Sequence, residues 1–361
     1  MKETVRIADH EIGAGNRPFI IAEMSGNHNQ DINRAKALIQ AAARAGADAV
    51  KLQTYTADTI TIRSDRPEFR IHGGLWDGRT LYELYEEAHT PWEWHPQLFA
   101  AGAEEGVVVF SSPFDATAVD FLQSLQCPAY KIASPEIVDW NLLEKVAATG
   151  KPIIVSTGMA IEQEVDEAME VLRSNGAEEV VLLHCVSAYP APVEACNLRR
   201  IPAMMDRYGV PVGLSDHTMG LEVPLAAIAL GAAVIEKHFT LRRADGGVDS
   251  AFSLEAEELA QLCQAANNVH AALGSPEPGH NPAEDHNRKF RRSLYFMRAM
   301  KAGDVVKEGD LRSIRPGMGL PPKYLARLIG TRLLRDASEG EPATWEHFGG
   351  KSVLERRLEE E

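Results

Sequence analysis

Short apolar runs recur along this chain, and each ends in a side chain capable of chemistry. Phe19, Ile20, Ile21 and Ala22 lead to Glu23, and Ala49 and Val50 lead to Lys51, Leu52 and Gln53. Residues 107–110 lead to Ser111 and Ser112, a run from Ala129 carries Lys131 and ends at Ser134, and Ile153, Ile154 and Val155 lead to Ser156. Three more runs end in His184 and Cys185, in Ser215, Asp216 and His217, and in Glu236, Lys237 and His238. Amphipathic stretches with a helical period lie between them, as at residues 33–45 and 116–125. This alternation predicts parallel strands joined by crossover helices. Eight such units close into a (β/α)8 TIM barrel, an α/β fold whose active site is built at the C-terminal ends of its strands. Those ends hold Glu23, Lys51, Lys131, Ser156, Ser215, His217 and His238, so the pattern points to an enzyme.

The chain has 361 residues, more than the roughly 250 of a single barrel, so a second, small domain is expected after it. Residues 1–274 read as the barrel, with a closing helix over 255–273 stopped by Gly274. Residues 275–290 are rich in Pro, Gly, His and acidic side chains without apolar periodicity, and read as a linker. Residues 291–348 read as a compact module with a strand at 293–297, a turn at 301–304 and a short helix at 324–330. Residues 349–361 read as a charged, solvated tail. Between the second and third strands, residues 54–94 are too long for a simple crossover and carry Phe69, Leu75, Trp76, Leu81, Tyr82, Tyr85, Trp92 and Trp94. Long insertions at this end of a barrel shape the site, although most of these aromatics have the alternative of packing a small core of their own.

The hydrophobic fraction of 45% is that of a globular protein, and the formal charge of −15 disfavours nucleic acid and anionic membrane surfaces as partners. In so acidic a chain, Lys51 and Lys131 at strand ends point to local use on an anion rather than to ordinary surface lysines. Cys127, Cys185, Cys196 and Cys263 form no CxxC pair and no metal-ligand spacing, which fits a reduced, cytoplasmic location. Residues 1–16 are charged and carry no apolar signal segment. The longest apolar stretch, residues 223–235, is too short to span a membrane and contains Pro224 and Gly231. It reads as a buried helix running into the eighth strand.

Side chains alternate along a strand, so Ser215 and His217 share one side, as do Glu236 and His238. The seventh and eighth strands are neighbours in a closed barrel, which brings His217 and His238 together at one rim. A lone histidine at a strand end is more often a hydrogen-bonded core residue than a ligand. Two on adjacent strands can hold a divalent metal, with water and substrate oxygens at the open positions. Two nitrogen ligands and no thiolate favour Mn2+ over a structural zinc, with Mg2+ and Co2+ as alternatives. Closure also places Glu23 beside the eighth strand, where its carboxylate could bind the metal or act as general base toward water. Lys51 and Lys131, with hydroxyls of Ser134, Ser156 and Ser215, would form an anion pocket. No Walker motif and no GxGxxG after a strand is present, which disfavours nucleotide binding.

At these residues the chain resembles the sialic acid synthase family, which condenses phosphoenolpyruvate with an amino sugar. The matching segments include Ile21-Ala22-Glu23, Lys51-Leu52-Gln53-Thr54, Tyr130-Lys131-Ile132-Ala133-Ser134, Ser156-Thr157-Gly158-Met159, Gly213-Leu214-Ser215-Asp216-His217-Thr218, Glu236-Lys237-His238-Phe239-Thr240 and Arg315-Pro316-Gly317. They run in order over nearly the whole chain. Within the family, residues 51–59, 75–85 and 90–95 resemble the branch that takes 2,4-diacetamido-2,4,6-trideoxy-L-altropyranose and forms pseudaminic acid and phosphate. The resemblance implies that Lys51, Lys131, Ser134, Ser156, Ser187 and Ser215 hold phosphoenolpyruvate. It further implies that His217 and His238 hold the metal, and that Gln53, Glu136, Tyr189, Asp249 and Arg315 contact the sugar. It also implies that the terminal module is an antifreeze-like (SAF) domain and that the chain forms a domain-swapped homodimer, each Arg315 reaching the other subunit's barrel. Other readings are a synthase making neuraminic or legionaminic acid by the same chemistry, and a noncatalytic sugar-binding protein. The presence of both histidines and both lysines speaks against the last.

Overall fold

The computed structural model describes residues 1–350 apart from 276 and 278, and divides into two compact units, Met1–Gly274 and a second beginning at Ser275. Of the tail expected at 349–361, residues 351–361 lie outside the described residues. The first unit opens with an antiparallel hairpin, β1 (Thr4–Ile7) and β2 (His10–Gly13), which the sequence pattern did not disclose. Its strands are only four residues long, and their buried Val5, Ile7 and Ile12 join the barrel core. The ring of His10 packs edge-on against Phe19, the first residue of the first barrel strand.

Eight parallel strands then form a closed barrel: β3 (Phe19–Glu23), β4 (Ala49–Thr54), β5 (Val108–Pro113), β6 (Tyr130–Ile132), β7 (Ile153–Ser156), β8 (Val180–Cys185), β9 (Val212–Asp216) and β10 (Val234–His238). β10 closes on β3 with Val234 opposite Phe19 and His238 opposite Glu23. Four of the eight expected runs match the observed bounds at both ends. The fourth run is the poorest match, because Pro135 lacks the N–H that a continuing ladder needs and a 3-10 helix, Ser134–Val138, takes over. The crossover helix after β3 is α1 (Ile32–Ala45), capped by the Asp31 carboxylate at the Asn33 N–H and ended by Gly46 at φ 89°. The insertion after β4 carries α2 (Ala57–Ile60) and α3 (Leu81–Ala88) before α4 (His95–Glu105). Then follow α5 (Ala116–Ser124), α6 (Trp140–Ala147), α7 (Glu162–Ser174), α8 (Arg200–Tyr208), α9 (Glu222–Ala229) and the closing helix α10 (Ala256–Leu273). Among the described residues no helix is long and apolar enough to cross a membrane.

The second unit holds a two-stranded antiparallel sheet, β11 (Ser293–Phe296) with β12 (Leu311–Ile314), and a short helix, α11 (Leu325–Leu328). It has its own core of Leu294, Phe296, Met300, Val306, Leu311, Leu320 and Leu328. Part of the segment read as an unstructured linker is a 3-10 helix, Pro282–Phe290, none of whose residues is buried. Without burial, no apolar period marks it in the sequence.

Close strand packing constrains the barrel at Gly213 on β9. A Cβ there would overlap the carbonyl oxygen of Val234 on β10, a backbone atom that cannot rotate away. Gly213→Ala should therefore lower stability by about 1–3 kcal/mol, read as a shifted midpoint in urea unfolding.

Candidate active site

The C-terminal ends of the barrel strands surround a cavity of about 350 Å³. Lys51 on β4, Lys131 on β6, Ser156 on β7, Ser215 on β9 and His238 on β10 line it, together with Ser134, Ser187 and His217 from the loops that leave the strands. A second cavity of about 390 Å³, between the loops after β7 and β8, touches Met159 and Cys185 as well, but it holds neither lysine and neither of the two rim histidines.

Four charges meet at the floor. The Lys131 ammonium lies 2.9 and 3.1 Å from the two carboxylate oxygens of Glu236, and the Ser215 hydroxyl donates to the same carboxylate at 3.0 Å. Lys51 pairs with Glu23, opposite it in the β3–β4 register, and lies 3.8 Å from Glu236. All four side chains are buried, so each charge depends on the others. Burial opposes the ionised Glu236 carboxyl, but Lys131 and Lys51 outweigh it and hold it well below the usual carboxylate range. Burial lowers the Lys131 ammonium in spite of Glu236, whereas at Lys51 the two carboxylates prevail over burial and raise it. The buried Ser156 hydroxyl has no protein partner, which leaves a donor aimed at whatever fills the cavity.

Above this floor the imidazoles of His217 and His238 lie 5.3 Å apart between ring centroids. Nδ1 of His217 sits 3.0 Å from the Val186 carbonyl oxygen, which can only accept, so the proton is on Nδ1 and the lone pair is on Nε2. His238 Nδ1 is buried without a well-formed hydrogen bond, 3.4 Å from an Asp249 carboxylate oxygen. Among the described residues no cluster of three or more His, Cys, Asp or Glu is arranged around a metal position. Two imidazoles with a free lone pair fit a divalent ion that keeps open positions for water and substrate, not a closed structural zinc site.

The other expected residues divide. Gln53, Tyr189 and Asp249 line the cavity; Glu23 and Glu136 do not. Glu23 lies behind Gln53, accepting from its amide at 2.9 Å and from the Ser25 N–H at 3.0 Å. Glu136 has one buried oxygen without a partner, and burial raises its carboxyl to about 7. Arg315 is an exposed residue of the second unit, just after β12. Trp76 is in the lining: its indole N–H donates to the Val248 carbonyl at 2.8 Å and its ring packs on Tyr189. Tyr82, expected beside it, is not. Its hydroxyl donates to Asp58 and its ring is covered by the Arg63 guanidinium, while Tyr55, Tyr85 and Phe114 supply the rest of the aromatic wall. Glu236 shares a side of its strand with His238, and that alternation is the sequence signal that places it in the site. Ser25 and Cys185, which also line the cavity, carried no comparable signal.

A parallel barrel with paired lysines and paired histidines at its C-terminal mouth defines a class of anion-handling enzyme fold, and sequence comparison makes the class specific. Residues 38–278 match the NeuB family model and residues 291–349 the SAF domain model; the chain belongs to the NeuB family. It is 44% identical to the pseudaminic acid synthase of Campylobacter jejuni subsp. jejuni serotype O:2 over 323 residues, covering 90% of this chain and 94% of that one. It is 37% identical to the N,N'-diacetyllegionaminic acid synthase of Legionella pneumophila subsp. pneumophila, with 91% and 94% covered. Among solved structures, the N-acetylneuraminic acid synthetase of Leptospira borgpetersenii in complex with citrate superposes with a TM-score of 0.71 at 31% identity, covering 80% of this chain and 95% of that one.

The raised carboxyl of Glu136 has a pH consequence. Between its ordinary value near 4.5 and about 7, the folded chain holds a proton that the unfolded chain has released, so this group's contribution to stability falls as pH rises through that window. Glu136→Gln should remove that dependence: between pH 5 and 8 wild type should lose on the order of 2 kcal/mol relative to the variant, measured by urea unfolding across the range.

Proposed function

We propose that this chain condenses phosphoenolpyruvate with 2,4-diacetamido-2,4,6-trideoxy-L-altropyranose and water to give pseudaminic acid and phosphate. The observation that carries the proposal is one cavity holding two buried lysines, an unpartnered buried serine hydroxyl and two adjacent imidazoles, in a chain 44% identical over 90% of its length to a pseudaminic acid synthase. Lys51 and Lys131, with Ser134, Ser156, Ser187 and Ser215, bind the phosphate and carboxylate of phosphoenolpyruvate by charge-assisted hydrogen bonds. Gln53, Tyr189 and Asp249, which line the cavity, contact the sugar.

In the reaction, C3 of phosphoenolpyruvate bonds to C1 of the open-chain aldehyde, whose oxygen takes a proton and becomes a hydroxyl. C2 is left cationic and adds water, which loses a proton to Glu23, held beside Lys51 and Gln53. The C2–O bond to phosphate then breaks as the new C2 hydroxyl gives its proton to the departing phosphate, leaving the keto acid and inorganic phosphate. A divalent ion on His217 and His238, Mn2+ first among the candidates, would supply a Lewis acid for the aldehyde oxygen.

The enzyme works in the cytoplasm as a domain-swapped homodimer in which Arg315 of the partner subunit reaches the sugar. Exposed apolar side chains after the barrel strands, Val138, Met159, Ile161 and Val193, with Trp140 at the start of α6 and Met318 near Arg315, support such an assembly.

The test is phosphate release from phosphoenolpyruvate with Mn2+ across a panel of acceptors. The diacetamido trideoxy altrose should be preferred over N-acetylmannosamine and over the legionaminic acid precursor, and His217→Ala should abolish release. Release preferring another acceptor would reassign the substrate, and none with any acceptor would favour a noncatalytic sugar-binding protein. The aromatic wall generates a second expectation, because a 6-deoxy sugar presents a methyl where mannosamine derivatives present a hydroxyl-bearing carbon. Trp76→Ala should cut the kcat/KM preference for the deoxy acceptor by roughly tenfold, about 1.4 kcal/mol, while phosphate release on other acceptors persists.

A further inference from the structure

On β9 and β10 the chemistry-bearing side chains face the cavity, and the residues between them face the other way. Asp216 and Lys237 are those intervening residues, directly opposite each other in the β9–β10 register, each one position before a cavity histidine. Both side chains are 1% exposed, and they form an ion pair of 2.8 Å. The Lys237 ammonium directs further hydrogen bonds at the carbonyl oxygens of Thr218, 2.7 Å, and Gly220, 3.3 Å. The other Asp216 oxygen takes the N–H of Thr218 at 2.9 Å. The loop that leaves β9 with His217 is thereby fastened to β10 at the residue that precedes His238.

The imidazole rings pack against Tyr189 and Phe252, but ring packing does not fix the spacing of the backbones that carry them. Nδ1 of His217 faces the Val186 carbonyl oxygen and, at 3.9 Å, the Cys185 thiol, and Nδ1 of His238 has no hydrogen bond of good geometry. A metal held by only two protein ligands is sensitive to the distance between them, and that distance is set by how the two backbones are held. A buried ion pair is also a costly way to gain stability, since well-packed apolar side chains of similar volume often serve as well. Its distinctive property here is direction: one carboxylate and one ammonium fix the path of the loop at Thr218 and Gly220.

We infer that Asp216 and Lys237 are positioning residues that set the spacing of His217 and His238 for a divalent metal. They act from behind the strands and touch neither metal nor substrate. The inference rests on the metal reading proposed above, and the experiment separates the two. Mn2+ is titrated into the purified full-length chain, free Mn2+ is read by electron paramagnetic resonance, and thermal unfolding is followed by circular dichroism. The double variant Asp216→Leu/Lys237→Met replaces the pair with apolar side chains and leaves no lone buried charge. It should fold, and its Kd for Mn2+ should rise by about tenfold or more, as for other outer-shell changes around metal-binding histidines. A folded double variant that binds Mn2+ within twofold of wild type would overturn the inference while leaving the metal site standing. Wild type that binds no Mn2+ would overturn both. Lys237→Arg keeps the charge but replaces three freely directed donors with a planar fork. Weaker Mn2+ binding at unchanged Tm supports the positioning role, and unchanged binding in this variant also counts against it.

Discussion

The candidate site depends on keeping two ammonium groups and two carboxylates together in the buried interior of the barrel. Lys51, Lys131, Glu23 and Glu236 are each buried, and an isolated charge at any of these positions would be strongly unfavourable. Together they are formally neutral and hydrogen-bonded, which allows a barrel to carry cations into its interior. The arrangement also prepares a binding site. Lys131 and Ser215 both donate to Glu236, so the donors proposed for an anion are already aligned before it arrives. An incoming phosphate and carboxylate would then exchange one set of charge-assisted hydrogen bonds for another.

The alternation of a strand and the closure of the barrel extend this local cluster into a site. The side of β10 that turns Glu236 toward Lys131 also turns His238 to the same cavity, and the opposite side carries Lys237 to Asp216. Closing β10 against β3 sets His238 opposite Glu23, so the imidazoles and the charged floor become adjacent layers. The loops then finish the walls. Trp76, from the insertion after β4, bonds to the loop after β10 and packs on Tyr189 from the loop after β8, joining three segments far apart in sequence around one opening.

Much of this was legible from residue order because parallel barrels obey a simple rule: strand ends carry function, and neighbours in sequence are neighbours in space. The rule was enough to bring His217 and His238 together and to place Lys51, Lys131, Ser156 and Ser215 at one mouth. It did less well where local context competes with the pattern. The β1–β2 hairpin is too short to show a period, and the Pro282–Phe290 turn buries nothing. Tyr82 and Trp76 belong to the same aromatic insertion and read alike in sequence, yet an acid and an arginine hold Tyr82 away from the cavity while a carbonyl of the opposite loop holds Trp76 in it.

The sequence by itself determined the number and kind of the barrel strands, the alternation that sorts their side chains into two sides, and the chemical character of the groups at their ends. These follow from periodicity and residue type, which are properties of the chain alone. Only the tertiary structure decided which charges are partners. Glu236 is the clearest example: its side of the strand could be read from position, but its pairing with Lys131, 105 positions away, exists only once the barrel closes. Ion pairing depends on distances of a few ångströms between side chains on different strands, and those distances are set by register and closure rather than by any local pattern.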